Sequence, residues 1–166
     1  MRIRRLEERD FEAFRTLFDE AFSEYLEFLR AENPEQFQEE IAGREEVSQE
    51  GFDFYFKTGA SFVAEEEGRV IGYVAAQPMP SLFGVDKTLE VAFIVVQKEF
   101  RKRKIGLALL ARLQNYAREV GIERLDSTIN PNNPESIRLH QRAGFDVKDW
   151  KLATYEVNKS GRTKKE

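Results

Sequence analysis

The sequence contains no cysteine and a single histidine among its 166 residues. The absence of cysteine excludes disulfides, thiolate catalysis and cysteine-based metal sites, and it fits a reducing, cytoplasmic setting. With His140 as the one histidine, a transition-metal site would need almost only carboxylate ligands. We therefore expect no metal.

Long apolar runs and several nucleotide-binding and hydrolytic motifs are also missing. No apolar stretch approaches the roughly 20 residues of a membrane span. The charged start MRIRRLEERD leads into no apolar segment, so we expect no signal peptide. No Gly-Lys-Ser/Thr loop, no trio of spaced glycines and no Gly-x-Ser-x-Gly elbow is present. These absences argue against a P-loop NTPase, a dinucleotide-binding domain and a serine hydrolase.

Charge is abundant but unevenly distributed. Residues 1–60 carry 8 basic against 16 acidic residues, whereas residues 97–118 carry 7 basic residues against the single acid Glu99. A duplex nucleic acid would require a broad basic face. A basic segment confined to one short stretch instead favours a compact anion, although a solvated charge run at a helix start predicts the same residues.

The apolar pattern predicts an α/β fold, in which helices flank a central mixed, mostly antiparallel sheet in the order βααβββαβαβ. The run AFIVV indicates a central strand that is buried on both faces, and Asp10 is expected to cap the first helix. We expect one domain over residues 1–158 and a disordered polar tail over 159–166. Strands are predicted at about 3–6, 61–65, 69–77, 89–96, 124–129 and 150–157, and helices from residue 11 and at 34–49, 105–120 and 134–143.

The turn before the third predicted helix has the features of an anion site. The first turn of a helix carries N–H groups without partners, and the helix dipole favours negative charge there. Gly106 permits close approach of a ligand because it has no Cβ, and Arg101, Arg103 and Lys104 add charged donors. Four consecutive cations at a helix start oppose the dipole unless an anion is bound, and this conflict indicates a function.

The segment FRKRKIGLALL resembles the Gln/Arg-x-x-Gly-x-Gly/Ala signature of the GNAT superfamily of acyl-CoA-dependent N-acyltransferases. Arg101 matches the first position and Gly106 the last. Lys104 stands where the family usually has its first glycine. It would strain the loop if this position requires a positive φ, and it would be harmless if the position is already helical.

A second segment, NPESIRLHQRAGF, resembles the family landmark Asn-x-x-Ala-x-x-Leu-Tyr-x-Lys-x-Gly-Phe, through Asn133, Leu139, Gly144 and Phe145. Together with the strand and helix at the N-terminus, the two landmarks extend the resemblance over nearly the whole chain. His140 occupies the position of the usual tyrosine, which is proposed to protonate the departing thiolate. A histidine can also donate a proton near neutral pH, but a histidine that only packs and bonds locally is an equally open interpretation.

The resemblance implies acetyl-CoA as the co-substrate. The loop would bind its pyrophosphate, and a splayed strand would hold the pantetheine arm, with a backbone N–H near Val95 stabilising the oxyanion. Asn133, on the same helical stripe as His140, would meet the pantetheine while also capping its helix. The expected cofactor-binding residues are Ile94, Val95, Val96, Arg101, Lys102, Arg103, Lys104, Ile105, Gly106, Leu107, Asn133 and Ser136.

Glu90 is the candidate general base, because an amine must lose a proton before it attacks the thioester. Strand alternation predicts that Glu90 shares a face with Ala92, Ile94 and Val96, although a glutamate paired with Lys87 is equally compatible. The resemblance places the acceptor pocket near residues 22–28, 78–83 and 150–155. Three acids, Glu20, Glu24 and Glu27, would favour a cationic acceptor, and a solvated acidic helix face predicts the same residues.

The resulting hypothesis is an N-acetyltransferase that acts on a primary amine of an unknown small molecule or peptide. One alternative is a non-catalytic GNAT-fold module that binds acyl-CoA as a sensor or interaction surface. Another is a nucleic-acid or protein-binding domain that uses residues 101–104. We expect neither a nucleic acid nor a membrane as partner, and a homodimer would be common for the family.

Overall fold

The structure is a computed structural model that describes residues 1–42, 46–79 and 87–149. The predicted strand over 150–157 and the predicted tail lie outside the described residues. Within the three described ranges, none of the helices has the apolar length that a membrane span requires. The elements are β1 (Arg2–Arg5), α1 (Phe11–Glu32), α2 (Pro34–Ala42), α3 (Gln49–Lys57), β2 (Phe62–Glu66), β3 (Arg69–Pro78), β4 (Thr88–Val96), α4 (Ile105–Glu119), β5 (Arg124–Ser127) and α5 (Pro134–Arg142), with short 3-10 turns at Glu8–Asp10 and Lys98–Phe100.

The described strands form one mixed sheet in the order β1-β2-β3-β4-β5. The β1–β2, β2–β3 and β3–β4 pairs are antiparallel, whereas β4 and β5 are parallel and are joined by the crossover helix α4. The β2–β3 hairpin turns at Glu67 and Gly68, which both have positive φ. The predicted α/β architecture is confirmed.

Helices cover both faces of the sheet. On one face, α4 packs Ile105, Leu109 and Leu113 against β2 and β3. On the other face, α1 and α3 bury Phe14 and Phe52. Residues 71–76 of β3 are all buried, whereas β4 is buried only at Leu89 and Val91 and half-buried elsewhere. The prediction that the 89–96 strand is buried on both faces is therefore wrong, because β5 pairs only with residues 88–91 in the described chain and leaves residues 92–96 at an open edge.

A helix that the sequence analysis did not predict lies between α2 and β2. Helix α3 begins after Ser48, whose hydroxyl accepts a hydrogen bond from the Gly51 N–H at 3.0 Å. Its phenylalanines stand at alternate positions, 52, 54 and 56, a spacing that does not indicate a helix. The predicted helix over 34–49 ends at Ala42. Among the described residues between β1 and β2, three α-helices therefore occur rather than the predicted two.

The Asp10 side chain does not cap α1, contrary to the prediction. Its carboxylate oxygens accept from the Arg4 guanidinium at 2.7 and 2.8 Å and from the Glu7 backbone N–H at 2.8 Å. Arg4 also bonds Glu65 on β2. A fixed bidentate arginine is a stronger partner for a buried carboxylate than a single helix amide, so Asp10 links β1 to the start of α1 instead.

A β-bulge interrupts the pairing of β3 with β4. Val91 pairs with Ala76 and Phe93 pairs with Ala75, so Ala92 between them has no partner on β3. An extra residue in one strand reverses the alternation of side chains beyond it. The bulge therefore decides which β4 side chains face which layer of helices.

Candidate functional site

The parallel pairing of β4 with β5 ends halfway along β4. It runs from Thr88 opposite Arg124 to Val91 opposite Ser127, where β5 ends. In the described part of the chain, residues 92–96 of β4 have no β5 partner, so this edge of the strand is open. The geometry agrees with the splayed strand that the resemblance implied, and the open edge contains Ile94, Val95 and Val96.

In the loop that follows β4, residues with positive and negative φ alternate. Lys102 and Lys104 have φ of 63° and 62°, whereas Arg103 between them has no positive φ. Such alternation turns successive N–H groups to one side and creates an anion-binding concavity called a nest. Within the described ranges, the N–H groups of residues 102–107 have no hydrogen-bond acceptor, and the Ala108 N–H is the first to bond back, to the Lys104 carbonyl at 3.0 Å.

Lys104 is therefore strained. A left-handed conformation costs a residue with a Cβ roughly 1–2 kcal/mol, and the cost persists only where the surrounding structure enforces it. Lys104 immediately precedes α4. The position where the family usually has its first glycine therefore does require a positive φ, and Lys104 strains the loop.

The cations of the loop point in different directions. The Arg101 side chain donates from Nε to the Val96 carbonyl at 3.0 Å and from Nη1 to Glu24 of α1 at 2.7 Å. The Arg103 side chain donates to Glu66 at 2.8 Å. Lys102 and Lys104 are exposed, and neither has an ion-pair partner among the described residues. The two lysines are thus the unpaired charges of the loop.

Gly106 lies where the first turn of α4 packs against α5. A Cβ built on Gly106 would lie 3.1 and 3.2 Å from the two terminal carbons of Leu139. The missing side chain therefore gives room to Leu139 of α5. Close packing of α5 on the first turn of α4 brings Asn133 and Ser136 to the same side of the sheet as the loop.

Asn133 caps α5 as predicted. Its side-chain oxygen accepts from the Ser136 N–H at 3.0 Å, and Pro134 occupies the first turn. The side-chain NH2 of Asn133 donates to no acceptor within the described ranges. Capping thus uses the oxygen only, and the amide nitrogen stays available as a donor.

His140 is buried, with an exposed fraction of 1%. Its Nδ1 lies 2.8 Å from the Ser136 carbonyl oxygen, so the neutral ring carries its proton on Nδ1 and donates it there. Nε2 is buried without a partner within the described ranges. Burial lowers the pKa of His140, although the bond to Ser136 opposes that shift. In the neutral ring Nε2 accepts rather than donates, so donation to a thiolate would require the imidazolium.

Glu90 lies on a different face from the one predicted. Its neighbours Leu89 and Val91 pack toward α4, so Glu90 points toward α1 and α3. The bulge at Ala92 reverses the alternation, and the α4 face continues at Ile94 and Val96 while Phe93 and Val95 face α1 and α3. The prediction that Glu90 shares a face with Ile94 and Val96 is wrong for this reason.

Gln77 is a site residue that the sequence analysis did not predict. It stands opposite Glu90 in the β3–β4 register, and its Nε2 donates to Glu90 Oε2 at 2.8 Å. Lys87, the alternative partner, pairs with Glu123 instead. Because the pair depends on the register of β3 against β4, the sequence offered no direct signal for it.

The acids of α1 divide into two groups. Glu20 and Glu24 line a cleft of about 690 Å³ together with residues 97–99 after β4. Glu27 is exposed and does not line this cleft. The other predicted walls of the acceptor pocket, residues 80–83 and 150–155, lie outside the described residues.

A helix start with free amides beside an open strand edge is typical of α/β proteins that bind phosphorylated ligands. The chain belongs to the Acetyltransferase (GNAT) family, whose profile matches residues 7–145. That range includes every residue predicted to bind the cofactor or to act in catalysis. The predicted family is confirmed.

Similar proteins agree with this assignment. An L-2,4-diaminobutyric acid acetyltransferase of Nocardia farcinica is 33% identical over 81 residues, which are 49% of this chain and 40% of that protein. The match thus spans less than half of that relative's length.

Solved structures share the fold. An aminoglycoside acetyltransferase from an uncultured soil metagenomic sample, in complex with sisomicin, has a TM-score of 0.71 at 15% identity, covering 95% of this chain and 96% of that chain. An aminoglycoside N-acetyltransferase in complex with CoA has a TM-score of 0.65 at 21% identity, covering 93% and 98%. These TM-scores establish the shared fold, whereas identities this low do not identify the substrate.

Proposed function

We propose that this chain is an N-acetyltransferase that transfers the acetyl group of acetyl-CoA to a primary amine by direct attack. The observation that carries the proposal is the run of free N–H groups over residues 102–107, next to the open edge of β4. This arrangement suits a diphosphate at the helix start and an extended amide-containing arm along the strand. A pantetheine diphosphate has both parts.

The cofactor-binding residues follow from this arrangement. The diphosphate would lie against the loop amides, with Lys102 and Lys104 as its nearest unpaired charges. The arm would pair with the strand edge, and the free amide of Asn133 would reach it from α5. The proposed set is Ile94, Val95, Val96, Arg101, Lys102, Arg103, Lys104, Ile105, Gly106, Leu107, Asn133 and Ser136.

Glu90 is the proposed general base. It takes a proton from the amine nitrogen, whose lone pair then attacks the thioester carbon. The N–C bond forms, the C–S bond breaks with its electron pair leaving on sulfur, and the nitrogen releases its second proton to solvent. A backbone N–H near Val95 would stabilise the negative oxygen of the transition state. His140 is the proposed donor to the thiolate, in its imidazolium form.

A cationic amine is the proposed acceptor, because Glu20 and Glu24 place negative charge in the cleft beside the loop. The Nocardia relative is named for a diamino acid and the solved neighbours for aminoglycosides, which are also cationic amines. By family analogy we propose a homodimer. The lack of cysteine supports a cytoplasmic location.

The experiment mixes the protein with acetyl-CoA and a panel of amines: sisomicin, L-2,4-diaminobutyrate, spermidine and a lysine-containing peptide. Released CoA thiol is measured colorimetrically, and the chain adds no thiol background because it has no cysteine. We expect thiol release with at least one amine and an acetylated product by mass. No release with any amine, together with no CoA binding by calorimetry, would refute the proposal.

A non-catalytic acyl-CoA sensor is the second candidate, because the N–H of buried His140 is committed to the Ser136 carbonyl. The sensor predicts CoA binding without thiol release. The enzyme predicts that His140→Phe lowers kcat while the Kd for CoA stays the same. Unchanged turnover in that variant would remove His140 from the mechanism and leave the transferase standing.

A further inference from the structure

The carboxylate of Glu90 has one engaged and one free oxygen. Oε2 accepts the hydrogen bond from Gln77, and Oε1 has no partner within the described ranges. Val91, the next residue, is the last of β4 to pair with β5. The free oxygen therefore lies next to the point where the two strands diverge.

Tyr55 of α3 lies over the same region of β4. Its ring contacts the edge of Phe93 with centroids 5.7 Å apart, and Phe93 faces the same helices as Glu90. The backbone oxygen of Tyr55 accepts from Thr58 and Ser61, whereas its hydroxyl has no hydrogen-bond partner in the described part of the chain. The hydroxyl is thus an unused polar group on the side of the sheet that Glu90 also faces.

Electrostatics keeps the Tyr55 hydroxyl neutral. Burial, and secondly the negative charge of Glu90, raise the pKa of Tyr55. A phenol that stays protonated can donate one hydrogen bond and accept others at neutral pH.

We propose that the Tyr55 hydroxyl and the free oxygen of Glu90 together bind the acceptor amine, and that Gln77 is the positioning residue for Glu90. The inference rests on the proposed function and adds to it the residues that contact the amine. An alkylammonium donates one N–H to Glu90 Oε1 and a second to the Tyr55 oxygen. The first N–H bond breaks, its proton forms an O–H bond on Oε1, and the pair left on nitrogen attacks the thioester carbon. The C–S bond then breaks with its electron pair on sulfur, and the nitrogen releases its second proton to solvent, which leaves a neutral amide.

Gln77 determines which carboxylate oxygen of Glu90 accepts the proton of the amine. Its bond to Oε2 fixes the plane of the carboxylate and leaves Oε1 to the amine. Register places Gln77 directly across from Glu90, so a small cross-strand shift would remove this control. Gln77 itself does not contact the amine.

The test compares Tyr55→Phe and Gln77→Leu with the control Tyr116→Phe, in the full chain. Tyr116 is half-buried on the opposite face of the sheet, against Phe62. The amine is the member of the panel above that wild type acetylates fastest. We expect Tyr55→Phe to lower kcat/KM for the amine roughly 10- to 100-fold, the range for a hydrogen bond to a charged group. The KM for acetyl-CoA and the melting temperature should not change.

Gln77→Leu should lower kcat more than it raises the KM for the amine, because it disorders the base without removing a contact. In the Glu90→Gln background, Tyr55→Phe should add less than it does alone, because both groups act on one nitrogen. Full activity of Tyr55→Phe, or a loss equal to that of Tyr116→Phe, would overturn the inference and leave the transferase intact. If wild type releases no thiol with any amine, both proposals fall. If Tyr55→Phe lowers the melting temperature, the Gln77→Leu result decides.

Discussion

Replacing Lys104 by glycine should make the protein more stable while weakening its hold on CoA. Lys104 has φ of 62° in a loop that forces this conformation. Glycine would relieve the roughly 1–2 kcal/mol of left-handed strain, offset by about 0.4–1 kcal/mol of additional unfolded-chain entropy. A net gain of about 0.5–1 kcal/mol corresponds to a rise of about 1–4 °C in melting temperature for a chain of this size.

Lys104→Ala is the matched control. Alanine also has a Cβ, so it keeps the strain while removing the same charge. Calorimetry with CoA at low and high salt should show about two- to fivefold weaker binding for both variants at low salt, and the loss should shrink at high salt because the lysine is exposed. A glycine variant that melts no higher than the alanine variant would refute the strain argument. Unchanged CoA binding in both would refute the proposed place of the diphosphate.

Three further predictions concern the strand and its neighbours. Gly72→Ala should lower the melting temperature by about 2–10 °C, because the new Cβ would lie 2.7 Å from the Val95 backbone oxygen. Calorimetry should also show that the variant binds CoA more weakly. A variant that is as stable as wild type and binds CoA as tightly would contradict the close approach of β3 to β4. Glu90→Gln should lower kcat roughly 100- to 10,000-fold near neutral pH. The difference in kcat from wild type should shrink as the pH approaches the amine pKa of about 10, because the amine is then already deprotonated and needs no base. A difference in kcat that does not vary with pH would exclude Glu90 as the base. Burial lowers the pKa of His140 below its ordinary 6.5, so the unfolded chain binds more protons than the folded chain, and the stabilisation from neutral His140 is complete above pH 6.5 and decreases as the pH falls below it. Between pH 7 and pH 5, the melting temperature should therefore fall more for wild type than for His140→Gln. Equal decreases would show that His140 does not titrate in this window.

The parts of the site that depend on neighbours in sequence were predictable. The start of α4, the free amides of its first turn and the Asn133 cap all follow from a strand, a turn and a helix in immediate succession. Backbone groups within four residues of a helix end have few possible partners, so a local pattern determines them. The family landmarks are local for the same reason.

The parts that depend on distant residues were not predictable. The Glu24 partner of Arg101 lies on another helix, and Leu139, which fills the space beside Gly106, lies on α5. Helix α3 also escaped prediction, because its phenylalanines alternate and only burial against α1 explains them. Long-range packing overrode the local pattern in each case.

The sequence by itself determined the order of strands and helices from β2 onward in the described chain, the cationic turn and the absence of thiol chemistry. Apolar periodicity, capping residues and composition act over a few residues, and no distant contact is needed to read them. Only the tertiary structure decided the left-handed backbone of Lys104, the bulge at Ala92 and the face on which Glu90 meets Gln77. One extra residue in a strand reverses every side chain beyond it, and the pairing of β3 with β4 places that residue.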